Sequence, residues 1–150
     1  NIENASHSLQ TAIIDFYGKF KDINTAEMVY NSIKKANAMN AISMIQIYIN
    51  NDMNEHALGI YNKFKHERNN KMDLLALKAC SNCKDSDQGK HILSSINIKN
   101  IQSISMLNQV INFHSQFGDI DDEIKFFDHI GNKKDIITIT SMMKVFNDHG

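Results

Sequence analysis

A small residue returns at the centre of one helical stretch after another along this chain. It is Ala26 in INTAEMVYNSI, Ala57 in MNEHALGIYNKF and Gly89 in SDQGKHILSSI, and Glu123 holds the equivalent place in IDDEIKFFDHI. The separations are 31, 32 and 34 residues. Columns around the marker keep the same register. Twelve residues before it stand Ile14, Ile45, Leu77 and Ile111, and nine before it stand Tyr17, Tyr48, Cys80 and His114. After it come Val29-Tyr30, Ile60-Tyr61, Ile92-Leu93 and Phe126-Phe127, then Ile33, Phe64, Ile96 and Ile130. In each second helix these positions fall at i, i+3, i+4 and i+7, a single apolar stripe. A helix pair of this size cannot bury its stripes alone. Stacking on the next pair buries them, so a period of this length with helix-turn-helix content indicates an all-α solenoid.

The period divides the chain into units 7–37, 38–69, 70–103 and 104–135, with a partial unit 136–150 showing only a first helix. The clearest hairpin, Ser105–Gly131, falls in the fourth unit. Residues 1–6 read as the tail of a preceding unit, so the expectation is one repeat array belonging to a longer chain. The sequence contains no Pro and only 6 Gly, which favours helices over strands. Turns are expected at Phe20-Lys21-Asp22, Asn50-Asn51-Asp52, Cys83-Lys84-Asp85 and Phe117-Gly118-Asp119, where each Asp can accept from the free N–H groups of the helix that follows. Glu123 is the exception in the small-residue column, and is expected to reach solvent or a basic neighbour.

The composition narrows the function classes. A net charge of -1, from 16 basic and 17 acidic residues, provides no general field for nucleic acid. Two cysteines cannot build a disulfide framework, so a reducing compartment is the default. No apolar run is long enough for a membrane span, and no signal segment is visible. Cys80-Ser81-Asn82-Cys83 has C-x-x-C spacing but no second ligand pair, and Cys80 shares a column with Tyr17 and Tyr48; it reads as core. His114 reads as core by the same column. The acidic group Asp119, Asp121, Asp122 and Glu123 suits a helix N-terminus better than a calcium loop. There is no Gly-rich phosphate loop, nucleophile elbow or H-E-x-x-H, so neither an enzyme nor a cofactor, metal or small-molecule substrate is expected.

Two helical-repeat families have periods in this range. The tetratricopeptide repeat, at ~34 residues, wants small side chains where its helices cross. Here the eighth-position column is Ile14, Ile45, Leu77, Ile111 and Met143, the late column is Ile33, Phe64, Ile96 and Ile130, and there is no Trp or Pro. The sequence instead resembles the pentatricopeptide-repeat family along essentially its whole length. The resemblance is carried by SLQTAIIDFYGKFKDINTAEMVYNSI (8–33), LKACSNCKDSDQGKHI (77–92), LNQVINFHSQFGDIDDEIKFFDHI (107–130) and DIITITSMMKVFNDHG (135–150). Unit lengths of 31, 32, 34 and 32 look like the short, standard and long variants that alternate in plant-type arrays of that family.

The resemblance implies a right-handed superhelix with first helices on its concave face. It also implies binding of single-stranded RNA, with about one base per repeat read by two or three side chains. The family's reading pair is the fifth and last residue of a repeat. Carried over, the pair is Thr11 with Asn37 in unit one and Asn108 with Asp135 in unit four, and unit five supplies Thr140. By family preference the implied target is 5′-A-x-x-U-purine-3′. Units two and three depart from the pattern, with Ile42 and Leu74 at the fifth place beside Asn69 and Ser103; an aliphatic side chain cannot hydrogen-bond a base edge. The second positions Ser8, Met39, Lys71, Ser105 and Ile137 would flank bases. At the thirteenth position Lys19 alone can meet a phosphate by charge. Organellar RNA processing (editing, stabilisation or translation), in mitochondria or plastids, follows from the resemblance only. The alternative is a protein–protein scaffold within a large organellar assembly, for instance a structural subunit of a mitochondrial ribosome. Near-neutral charge and Ile42 favour it. A basic concave face with converging polar readers would favour RNA; an acidic or apolar one would favour a protein partner.

Overall fold

The computed structural model describes residues 5–64, 66–96 and 104–117, with Ile139 and Met143 as single helical positions. The described residues form seven α-helices and no strand: α1 His7–Lys19, α2 Ile23–Ser32, α3 Ala38–Asn50, α4 Asn54–Lys63, α5 Asn70–Cys83, α6 Ser86–Ser95 and α7 Ile104–Phe117. The odd-numbered helices are the first helices of successive pairs. Each packs on its own second helix and on the first helix of the next pair, while each second helix packs on the first helix that follows. Second helices make little contact with one another. The first helices therefore form the more tightly spaced layer, which is the inner side of the stack.

Capping explains where most helices begin. The side chains of Ser6, Asp22, Asn37, Asn69 and Asp85 accept from the backbone N–H three residues on, at 3.0–3.3 Å. Asp52 departs from this expectation. The N-cap of α4 is Met53, which makes no side-chain bond. Asp52 instead takes the left-handed conformation (φ 59°), as Lys21 (φ 58°) and Lys84 (φ 61°) do in the other two turns. The chain reverses through one such residue after each of α1, α3 and α5. In this turn the Asp stands one place too early to cap, at the left-handed position that Asp tolerates better than most residues. The equivalent turn at Asp119, and Glu123 with it, lie outside the described residues.

The core follows the sequence columns. Ile14, Ile45, Leu77 and Ile111 are all buried, as are Val29, Ile33, Ile60, Tyr61, Ile92 and Ile96. Each such aliphatic side chain contributes about 1.5–3 kcal/mol by leaving water. Of the small markers, Ala26, Ala57 and Gly89 are buried. At Gly89 the ring of Phe113 lies where a Cβ would stand, so α7 approaches the backbone of α6 directly. The α1–α2 end of the stack is different. Leu9, Phe16, Phe20 and Met28 are exposed there, beside an open apolar groove of about 670 Å³.

Candidate functional site

The inner layer is built from the solvent-facing stripe of α1, α3, α5 and α7. Exposed or half-buried positions recur there at the second, ninth and thirteenth places of each unit. They are Ser8, Asp15 and Lys19 on α1; Met39, Gln46 and Asn50 on α3; and Lys71, Lys78 and Asn82 on α5. On α7, Asn112 and Gln116 continue the stripe. The charged residues of this stripe are Lys19, Lys71 and Lys78 against Asp15, and amides fill most of the remainder. The Gln46 amide donates to the Asn50 side chain (2.9 Å), which ties neighbouring turns of one helix together. The surface is polar and weakly basic, although the chain as a whole carries -1. Gln46, Lys78 and Asn112 were not among the candidate residues. Their signal was present in the ninth-place column Asp15, Gln46, Lys78 and Asn112, polar in every unit.

The unit-one candidates come together. Thr11 and Asn37 are both half-buried and are joined through Asn40, which is fully buried. The Asn40 Nδ2 group donates to Thr11 Oγ1 (2.9 Å) and to the carbonyl of His7 (3.4 Å). Its Oδ1 accepts from the N–H of Asn37 (3.1 Å), and its own N–H donates to Asn37 Oδ1 (3.1 Å). Asn37 and Asn40 thus form a reciprocal capping box at the start of α3. Thr11 donates its hydroxyl proton to the His7 carbonyl (2.8 Å), one turn back on α1. Asn40 was not singled out from sequence, because the bond to Thr11 spans 29 residues and two helices.

The other candidates are less assembled. Asn69 is exposed and caps α5, with Oδ1 accepting from the N–H of Met72 (3.0 Å). Ser8 and Lys19 are exposed on α1 and Asn108 is half-buried on α7. Ser105 lies in α7. Ser103, Asp135, Ile137 and Thr140 lie outside the described residues. Leu74 is 1% exposed and packs in the core, so the fifth place of unit three faces the helices and not the groove. Ile42 is half-buried and packs against the core.

Asp73, next to Leu74 in sequence, belongs to a largely buried polar cluster. The Tyr61 hydroxyl donates to Asp73 Oδ1 (2.8 Å) and accepts from Arg68 Nη1 (2.8 Å), and the Arg68 guanidinium lies over the Tyr61 ring at 5.3 Å. Burial, then the Asp73 carboxylate, push the phenol from 10.0 up to about 12. Tyr48 donates to Glu27 (2.8 Å) and is likewise raised, by burial first and the carboxylate second. Cys80 is fully buried and Cys83 exposed; burial pushes the Cys80 thiol up to about 12, which keeps it protonated and unreactive. Among the described residues no group of three His, Cys, Asp or Glu side chains could hold a metal ion, and no helix is long and apolar enough to cross a membrane.

No protein-family model matches the chain. Individual proteins do. Two chloroplastic pentatricopeptide repeat-containing proteins of Arabidopsis thaliana are 23% and 25% identical to it over 147 and 146 residues, each match covering 95% of this chain. A mitochondrial pentatricopeptide repeat-containing protein of the same plant is 24% identical over 144 residues, 93% of this chain. The chain spans only 18%, 18% and 21% of the lengths of these three relatives. Matches that run nearly end to end through an all-helical stack of paired helices, with first helices starting at His7, Ala38, Asn70 and Ile104, support membership of the pentatricopeptide-repeat family.

Proposed function

We propose that this chain is an RNA-binding segment of an organellar protein, one repeat array with units 7–37, 38–69, 70–103, 104–135 and 136–150. Its inner helix layer takes single-stranded RNA at about one base per unit. The observation that carries the reading is the convergence of Thr11 and Asn37 on Asn40. It holds two hydrogen-bonding side chains, from the fifth and last places of one unit, at the edge of a weakly basic polar groove. Unstacked bases offer their Watson–Crick edges to such groups. Lys19, Lys71 and Lys78 would serve the phosphates, with Ser8 and Ser105 beside the bases. Asn108 with Asp135, and Thr140 alone, would read in units four and five; Asn69 and Ser103 stand at the last places of units two and three, and Ile137 at the second place of unit five. The array binds and does not catalyse. Its setting would be editing, stabilisation or translation of a transcript in mitochondria or plastids, where relatives are named as residing.

A gel shift against 5′-A-x-x-U-purine-3′ and the same RNA with A and U exchanged tests this. Preferential binding of the first is expected, and equal binding of both would sink the proposed register. Exchanging two bases read by side-chain bonds should cost on the order of 10- to 100-fold in affinity.

A second reading, a scaffold contacting other proteins of an organellar complex, is favoured by one observation. Unit two places half-buried Ile42 where a base reader would stand, with Met39 exposed on the same helix, and unit three has only the buried Leu74 at that place. A partner using that middle section would be apolar, and its binding would not depend on salt as RNA binding does.

A further inference from the structure

We infer that Asn40 is the positioning residue of unit one, fixing the hydrogen-bonding polarity with which Thr11 meets a base. The inference rests on the RNA reading of that unit. The orientation of the Asn40 amide is forced by its neighbours. The N–H of Asn37 can only donate, so it faces Oδ1; the carbonyl of His7 can only accept, so it faces Nδ2. Thr11 Oγ1 on that second side therefore receives a proton from Asn40 and sends its own to the His7 carbonyl. A hydroxyl has one donor and two acceptor lone pairs. With the donor and one lone pair used, Thr11 faces the groove as an acceptor alone.

Asn37 is less committed. Its Oδ1 receives the backbone N–H of Asn40 as the N-cap of α3, which uses one of its two lone pairs and leaves the other beside the Nδ2 donors. Unit one thus presents a fixed acceptor from one helix and an adaptable amide from the cap of the next. A base fits when it offers a donor toward Thr11, as the amino groups of adenine and cytosine do, with the Asn37 amide meeting the neighbouring ring edge. Asn40 is fully buried, so it touches no base itself. It works by removing the freedom of the Thr11 hydroxyl, which does.

The test uses the 150-residue chain and four labelled RNAs, 5′-N-C-C-U-A-3′ flanked by cytidines, with each base in turn at N. A parallel set varies the fourth base. Asn40→Leu removes the side-chain bonds to Thr11 and to the Asn37 N–H but keeps the backbone N–H that caps onto Asn37 Oδ1; Asn40→Asp keeps the acceptor for the Asn37 N–H but cannot donate to Thr11. Both variants should lose discrimination at the first base on the order of tenfold, the value of one hydrogen bond. Discrimination at the fourth base should hold within about twofold, as distant sites are independent. In a Thr11→Val background, Asn40→Leu should change first-base discrimination no further. Equal losses at both bases would mean a merely structural role and overturn the inference, as would unchanged discrimination at the first base. Failure of the wild-type chain to bind any of the RNAs would instead bring down the RNA reading, and this inference with it.

Discussion

The phenol of Tyr61 sits between a guanidinium and a carboxylate, and its chemistry can be read from those two bonds. Because Asp73 is buried, removing the hydroxyl leaves a charged acceptor short of a partner. Tyr61→Phe should therefore cost about 1–3 kcal/mol, measured by urea unfolding at neutral pH. The pH dependence follows from the raised phenol. Its folded value of about 12 lies above the ordinary 10.0, so the unfolded chain loses this proton first. The associated stability is fully present below pH 10 and is lost as pH rises toward 12. Alkaline titration of stability should thus be shallower for Tyr61→Phe than for the wild type. Some slope must remain, because burial also raises the Tyr30 and Tyr48 phenols and the Cys80 thiol. None of this was legible in sequence. Tyr61 was read correctly as a member of the apolar stripe, but its polar end found partners 7 and 12 residues away, across a loop.

At the scale of single helices, two glycines of similar appearance should behave oppositely. Gly59 lies within α4 with nothing near the place of a Cβ, so Gly59→Ala should stabilise by about 0.5–1 kcal/mol through helix propensity. Gly89 lies under the Phe113 ring, and Gly89→Ala must displace that ring or part α6 from α7. A loss of about 1–3 kcal/mol is expected, and thermal melting of both variants decides the pair. The small-residue column made Gly89 recognisable in advance, because a close crossing needs a small residue whatever its partner. Helix starts were legible for a similar reason: Asp and Asn before an apolar stripe have one local use. The turn before α4 escaped because its Asp stands one residue early. Capping depends on backbone conformation, and the left-handed turn claims Asp52 before it can cap.

At the scale of the molecule, burial among α1 to α6 is concentrated in α3, α4 and α5. Helices α3, α4 and α5 bury 7, 5 and 8 residues, whereas α1, α2 and α6 bury 2 each. In a stack where each unit is held by its neighbours, local opening should begin at the poorly buried helices. Amide hydrogen exchange should show strongest protection in α3 and α5 and markedly weaker protection in α1 and α2. Uniform protection would contradict this picture. The all-helical stack of paired helices was legible because stacking forces the same positions to be apolar in successive pairs. The groove was less so, because net charge averages over surfaces, and Lys19, Lys71 and Lys78 lie on the inner layer without altering the total. A last consequence concerns Asn37, which counts as the end of one unit yet is hydrogen-bonded into the helix of the next. Repeats traded between arrays at the 37/38 boundary would separate a cap from the helix it starts and divorce Thr11 from the amide that orients it. Any engineered or natural recombination that preserves unit one must carry residues 7–40 as a block, so the heritable module is offset from the repeat by about one helical turn.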